Sequence, residues 1–130
     1  MYYLNDYNDR RRFQRLNLNL NVFYKVDQPV YVKLWIGDQE IEATTLNLSE
    51  GGMAFLTAYD IPLASLLLIK FSLFKINRKG EVDFSKPVEI TGEVRSNNSW
   101  ESREYRLGVC FIRKDEEVKT KISDFVKSAS

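Results

Sequence analysis

Apolar residues recur at every second position from Leu16 to Tyr24, and mostly polar residues, chiefly asparagine, lie between them. A period of two gives a strand one inward and one outward face, so this pattern predicts a half-buried β-strand. Shorter apolar segments follow, each bounded by residues that favour turns. They predict further strands over residues 30–36, 40–48, 53–57, 66–76, 88–95 and 105–112.

Polar and glycine-containing stretches between these segments predict the connections. They cover residues 37–38, 47–52, 77–87 and 96–99. The pattern then changes near the C-terminus, where Val118, Ile122, Phe125 and Val126 follow a helical spacing. We therefore predict one amphipathic helix over residues 115–127, with Asp115 as its N-cap.

The predicted elements define an all-β fold with one C-terminal helix. Short strands joined by turns, without strand–helix alternation, are typical of an antiparallel β-barrel. Six or seven strands fit the pattern. The length of 130 residues is that of one domain.

Charge and reactive side chains narrow the possible functions. The 19 basic and 18 acidic residues leave a net charge of +1, so any basic binding site must be local. The chain has no histidine, and Cys110 is its only cysteine. These absences remove the commonest general base and most zinc sites, so we predict no catalytic residues, no metal site and no enzyme activity.

The sequence also predicts where the protein resides. Its first nine residues are polar and acidic, unlike a secretory signal. No apolar run is longer than four residues, as at residues 66–69, which is far shorter than the roughly 20 residues that span a bilayer. We therefore expect a cytoplasmic protein that does not insert into membranes.

A cluster of arginines precedes the first strand: Arg10, Arg11, Arg12 and Arg15. The planar guanidinium pairs bidentately with phosphate and with the O6/N7 edge of guanine. Taken alone, the cluster fits a solvated basic segment at least as well as an anion site.

A second polar motif, NLSEGG, occupies residues 47–52. Asn47 and Ser49 are two apart, so they would share one face of a strand end. Gly51 and Gly52 permit a positive φ and a close approach of backbone to a ligand. Taken alone, this motif is better explained as an ordinary β-turn.

Together, the two motifs resemble those of the PilZ domain, a bacterial receptor for cyclic di-GMP. The RxxxR motif of that family matches residues 11–15, and its [DN]xSxxG motif matches residues 47–52. YRLGVCF, at residues 105–111, is similar to a late strand of the family. The resemblance covers roughly residues 10–127. It implies a PilZ-like split barrel over residues 10–130, preceded by a flexible arm, residues 1–9.

The resemblance also implies a role for each matching residue. Arg11 and Arg15 would hold guanine and phosphate groups, while Asn47 and Ser49 would bind a guanine edge. The backbone at Gly51 and Gly52 would make room for the ligand. In related domains an arginine at the position of Arg10 accompanies binding of a stacked pair of cyclic di-GMP molecules. Arg12 receives no assigned contact, and no cofactor is implied besides this ligand.

The function implied is that of a receptor or adaptor whose N-terminal arginine arm becomes ordered when cyclic di-GMP binds. With no output domain visible, it would signal to an unidentified downstream protein. Residues 28–36, predicted as an extra strand, are a possible interaction edge.

Two alternatives remain open. One is a PilZ-like adaptor that works through protein contacts without a ligand. The other is a small barrel that binds single-stranded nucleic acid, with Trp35 and Trp100 as stacking platforms. Most aromatic residues lie at alternating strand positions, which favours a core role, and we do not expect DNA binding.

Overall fold

The computed structural model describes residues 15–112 and 116–129. In chain order the elements are β1 (Arg15–Gln28), α1 (Val30–Ile36), β2 (Ile41–Ser49), β3 (Gly52–Thr57), β4 (Leu66–Ile76), β5 (Val82–Ser99), β6 (Tyr105–Ile112) and α2 (Glu116–Ala129). A single 3-10 turn, Glu101–Arg103, connects β5 to β6.

The six strands form a closed antiparallel barrel in the order β1-β2-β3-β6-β5-β4. Strand β1 pairs with β4 as well as with β2, so the sheet has no free edge along that strand. The inward-facing apolar residues of the strands form one hydrophobic core. The predicted fold class, an antiparallel barrel of six or seven strands with a C-terminal helix, is confirmed.

Aromatic side chains fill much of the barrel interior. The largest fully buried residues are Tyr24, Phe55 and Phe71, and the rings of Tyr24 and Phe55 lie 5.2 Å apart. The buried Tyr24 hydroxyl is 2.6 Å from Oγ1 of Thr57, the last residue of β3. Burial raises the pKa of Tyr24 to about 12, and the hydrogen bond to Thr57 offsets part of this shift.

The C-terminal helix α2 packs on the barrel through the face that the sequence predicted. Ile122, Phe125 and Val126 are buried, and Val118 packs against them from the edge of the core. The ring of Phe125 meets Phe74 of β4 edge-on at 5.2 Å. This helix extends to Ala129, two residues beyond its predicted end. Its predicted N-cap, Asp115, lies outside the described residues.

The prediction of a strand over residues 30–36 is wrong, because Val30–Ile36 forms the helix α1. The β-branched and aromatic residues of this segment favour a strand. However, its two buried side chains, Val32 and Ile36, are four residues apart, and that spacing anchors one face of a helix on the barrel. Gly37 ends the helix with a φ of 99°, as expected for a turn at residues 37–38.

Three predicted connections are also shorter or absent in the structure. The connection predicted over 47–52 is reduced to residues 50–51, between β2 and β3. The connection over 77–87 is a tight turn at residues 77–81, in which the Asn77 side chain accepts hydrogen bonds from the backbone N–H of Lys79 and Glu81. Residues 96–99, predicted as a turn, continue strand β5 and pair with β6. None of the described helices combines the length and the apolar character needed to cross a membrane.

Candidate ligand-binding site

The pairing of β1 with β2 brings the two sequence motifs together. Arg15, the last residue of the RxxxR motif, lies opposite Ser49 in the antiparallel register. Two residues further along β1, Asn17 lies opposite Asn47. The start of β1 therefore adjoins the β2–β3 hairpin, although the two motifs are far apart in sequence.

A register shift in β2 determines which face of the barrel carries the second motif. Ile41, Ala43 and Thr45 point inward with a period of two. The pairing with β3 then shifts by one residue between Thr45 and Asn47, and the next fully buried side chain is Leu48. Without this bulge the regular period would direct Asn47 into the core. With it, Asn47 is only half-buried.

The hydroxyl group of Ser49 holds the hairpin in shape. Ser49 Oγ accepts a hydrogen bond from the backbone N–H of Gly51 at 3.2 Å. It also lies 3.3 Å from the carbonyl oxygen of Gly52, to which it donates. Ser49 is 8% exposed. A serine hydroxyl has two acceptor lone pairs, so one acceptor position remains after these contacts.

The two glycines act differently from the sequence-based expectation. Of the glycines that the structure describes, only Gly37 and Gly80 have a positive φ, so neither Gly51 nor Gly52 uses that freedom. A Cβ on Gly52 would lie 2.1 Å from the carbonyl oxygen of Val109. Gly52 therefore permits the close approach of strand β6, and the backbone N–H of Phe111 donates to the Gly51 carbonyl at 2.9 Å.

Glu50, at the tip of the hairpin, links the site to helix α2. Its carboxylate lies 3.7 Å from the ammonium group of Lys119. The sequence did not predict this pair, because Glu50 occupies a variable position of the motif and Lys119 lies in a different element. No local pattern signals a contact between them.

The structure places only part of the predicted site. Arg10, Arg11 and Arg12 lie outside the described residues. The described parts are the backbone of Arg15 and the hairpin residues Asn47, Ser49, Gly51 and Gly52. Cys110 is half-buried and lies opposite Gly52.

The chemistry of these groups suits noncovalent recognition. The amide of Asn47 offers a donor and an acceptor, and the hairpin adds backbone groups and a hydroxyl. Within residues 15–112 and 116–129, no three carboxylate or cysteine side chains gather where a metal ion could bind.

Comparison with known proteins identifies the family to which these features belong. The family model of the PilZ domain matches residues 9–128, nearly the whole chain. The matched region includes both motifs, the six strands and most of α2. A search of curated proteins gave no match.

Several solved structures share the fold at low sequence identity. The inhibitor of motility MotI from Bacillus subtilis aligns with a TM-score of 0.67 and 15% identity, over 92% of this chain and 51% of that one. This chain therefore spans about half the length of that protein. The PilZ domain of Escherichia coli YcgR, solved with cyclic di-GMP, aligns with a TM-score of 0.59 and 15% identity, over 92% and 90% of the two chains. The MrkH–cyclic di-GMP complex of K. pneumonia aligns with a TM-score of 0.61 and 12% identity, over 92% and 52%.

Proposed function

The chain belongs to the PilZ domain family, and on this premise we propose that it is a receptor for cyclic di-GMP. The family provides receptor domains rather than enzymes, in keeping with the lack of histidine. Two of the structures with the same fold, YcgR and MrkH, were solved with cyclic di-GMP. The proposed ligand site is the β2–β3 hairpin together with the arginines that precede β1.

The observation that carries the proposal is the register of β1 and β2. Because Arg15 lies opposite Ser49, the chain that precedes β1 starts beside the hairpin. Arg11 is four residues before Arg15, within reach of a ligand lying on this hairpin. The arginines of the first motif, residues 11–15, and the hairpin residues of the second, 47–52, can therefore contact the same ligand.

The charges and donors of the proposed site match the ligand. Cyclic di-GMP has two phosphates and two guanine bases, and Arg11 and Arg15 offer bidentate donors to either group. Asn47 supplies a donor and an acceptor for a guanine edge, and the remaining lone pair of Ser49 can accept one more hydrogen bond. Gly51 and Gly52 contribute backbone groups without side chains that would cover the hairpin.

Ligand binding would order the arginine arm over the hairpin. Fixing the arm costs conformational entropy, which offsets part of the binding energy. The ordered arm would present a new surface to a downstream protein. Arg10 provides additional charge, and we propose that it supports a stacked pair of ligands, which carries four negative charges.

Titration calorimetry with cyclic di-GMP tests this function. We expect saturable binding at micromolar ligand, and at least a tenfold loss of affinity in Arg11→Ala and in Arg15→Ala. Arg103→Ala is the matched control, because Arg103 is also an exposed arginine but lies far from the hairpin. It comes just before Tyr105, the first residue of β6, whereas Gly52 pairs with Cys110 near the other end of that strand. A stoichiometry of two ligands per chain that falls to one in Arg10→Ala would support the stacked pair.

An absence of binding heat for the wild type, or equal affinities in the arginine variants, would contradict the receptor function. The first result would favour the alternative of an adaptor that works through protein contacts alone. Stoichiometric binding of random single-stranded oligonucleotides, without competition by cyclic di-GMP, would instead favour a nucleic-acid-binding barrel.

A further inference from the structure

Helix α1 presents an apolar surface to solvent at the end of the barrel away from the hairpin. Val30, Tyr31, Leu34 and Trp35 are 63%, 69%, 77% and 61% exposed. At 100° per residue these four side chains share one side of the helix, opposite Val32 and Ile36. We call these four residues the α1 face.

The α1 face is held rigidly on the barrel. Val32 is 1% and Ile36 is 8% exposed, so both anchor the opposite side of the helix. The ring of Trp35 meets Tyr59 edge-on at 6.2 Å. The backbone N–H of Gly37 donates to the Lys33 carbonyl and closes the last turn. The apolar side chains are therefore displayed by an ordered element, and binding to them would cost little conformational entropy.

We propose that the α1 face docks into an apolar groove, bordered by lysine or arginine residues, on a partner protein. Four exposed apolar side chains of these sizes form a patch on the order of 500 Å², a size that on monomeric proteins is often functional. Helices of this kind bind by inserting apolar side chains at helical spacing into a groove.

Charge near the helix indicates the chemistry of the partner. Asp27 precedes α1 and Asp38 follows it, so both ends of the helix carry an acidic residue. A third acid, Asp60, is adjacent to Tyr59, which contacts Trp35. Lys33, on the helix, is half-buried, and Lys25 lies 3.7 Å from Asp38. Because Lys25 forms an ion pair with Asp38, a basic border on the partner would complement chiefly Asp27 and Asp60.

The same charges disfavour two other occupants. Parallel or antiparallel pairing of α1 with a second copy would bring the acidic ends together. A bilayer rich in anionic lipids would be repelled by the same carboxylates. The structure therefore favours a heterologous protein partner.

This inference rests on the proposed receptor function, and it names a second surface for a partner, besides the ordered arginine arm, which does not depend on the ligand. The two proposals nevertheless fail separately. Ligand titration reports on the hairpin and the arginines, whereas cross-linking from α1 requires no bound ligand.

Site-specific photo-cross-linking in the native host tests the α1 face. The full chain carries p-benzoylphenylalanine at position 34 or, as a matched control, at position 82, where Val82 is 52% exposed at the start of β5. Mass spectrometry then identifies the cross-linked peptide. We expect a cross-link from position 34 alone, to a partner segment with apolar residues flanked by lysine or arginine.

Binding of that partner to the purified chain completes the test. We expect Leu34→Asp to weaken affinity at least tenfold, and Asp27→Lys with Asp38→Lys to weaken it more at low salt than at high salt. Circular dichroism checks that each variant is folded. The proposal would be overturned by a cross-link to a second copy, to lipid or to a partner without basic residues. It would also be overturned by equal cross-linking from both positions or by the absence of any cross-link.

Discussion

The surfaces at the two ends of strand β2 differ in chemistry and in how they are built. At its last residue, Ser49, a polar hairpin is held by its own hydroxyl and backbone contacts. Before its first residue, Ile41, helix α1 displays four exposed apolar side chains. Nine residues of strand separate the two ends by about 27 Å.

The two ends of this small barrel are therefore suited to different kinds of binding. The hairpin end offers donors, acceptors and space for a charged ligand, whereas the α1 end offers a rigid apolar surface. One rigid strand connects the two ends, and a single core stabilises both. If the two ends act separately, a substitution at one end should leave the other end unaffected.

The double variant Arg11→Ala, Arg15→Ala should lose more than about 100-fold in affinity for cyclic di-GMP, because each bidentate arginine contact contributes about 1–3 kcal/mol. Titration calorimetry measures the loss. Folding should be unchanged, as urea denaturation would show. A double variant that binds as tightly as the wild type would place the ligand elsewhere on the chain.

Gly52→Ala should lower the free energy of unfolding by about 1–3 kcal/mol, because overpacking of this kind costs that amount. The added Cβ would lie 2.1 Å from the backbone carbonyl of Val109, which cannot move without disturbing β6. Gly108→Ala is the control, since its nearest atom is the Oγ of Ser96, which can rotate away. Equal stability of the two variants in urea would show that Gly52 does not lie against the backbone carbonyl of Val109.

Tyr24→Phe should cost about 1–2 kcal/mol near neutral pH, because Thr57 would lose its buried hydrogen-bond partner. The difference in unfolding free energy between the wild type and Tyr24→Phe should also depend on pH. Burial raises the pKa of Tyr24 to about 12 in the folded protein, above the value of roughly 10 for an unfolded chain. The stability advantage is therefore fully present below pH 10 and falls as the pH rises from 10 towards 12.

Urea denaturation of the wild type and of Tyr24→Phe between pH 7 and about 11 measures the difference in unfolding free energy. The other tyrosines are present in both proteins, so their ionisation does not contribute to this difference. A constant difference across this range would contradict the burial of the Tyr24 hydroxyl. Ligand affinity at neutral pH should change little, since Tyr24 pairs with Ile41 at the far end of β2 from the hairpin.

Leu34→Ser should have the smallest effect on stability, less than about 0.5 kcal/mol, because surface substitutions away from packed features rarely cost more. Leu34 is 77% exposed. Ile36→Ser, on the buried side of the same helix, is the matched control and should be strongly destabilising. If Leu34→Ser destabilised as much as Ile36→Ser, the α1 face would be part of the core.

The strands were predicted well where the order of apolar and polar residues follows which side chains are buried. Residues 66–76 and 105–112 form strands with the predicted bounds, since apolar runs and alternation mark them clearly. The helix at residues 30–36 was missed, because seven residues with two buried positions are too few to reveal a helical period. Residues 96–99 were missed because pairing with β6 overrides the turn preference of serine and asparagine.

The two sequence motifs predicted which residues form the proposed site. The contacts among these residues could not be predicted, because they depend on how the chain folds. Asn47 and Ser49 were selected from their side chains and spacing. The bulge after Thr45, the contact of Ser49 with the hairpin backbone and the approach of Val109 to Gly52 all depend on pairing between distant strands. The same is true of the ion pair between Glu50 and Lys119.

Hydrogen exchange of the full chain, with and without saturating cyclic di-GMP, tests the central claim most directly. The ligand should slow exchange of backbone amides at residues 47–52 and at the start of β1, and should leave residues 30–36 unchanged. Such a result would establish a ligand site at the hairpin that is distinct from α1. Protection confined to residues 30–36, or unchanged exchange at residues 47–52 under saturating ligand, would contradict it.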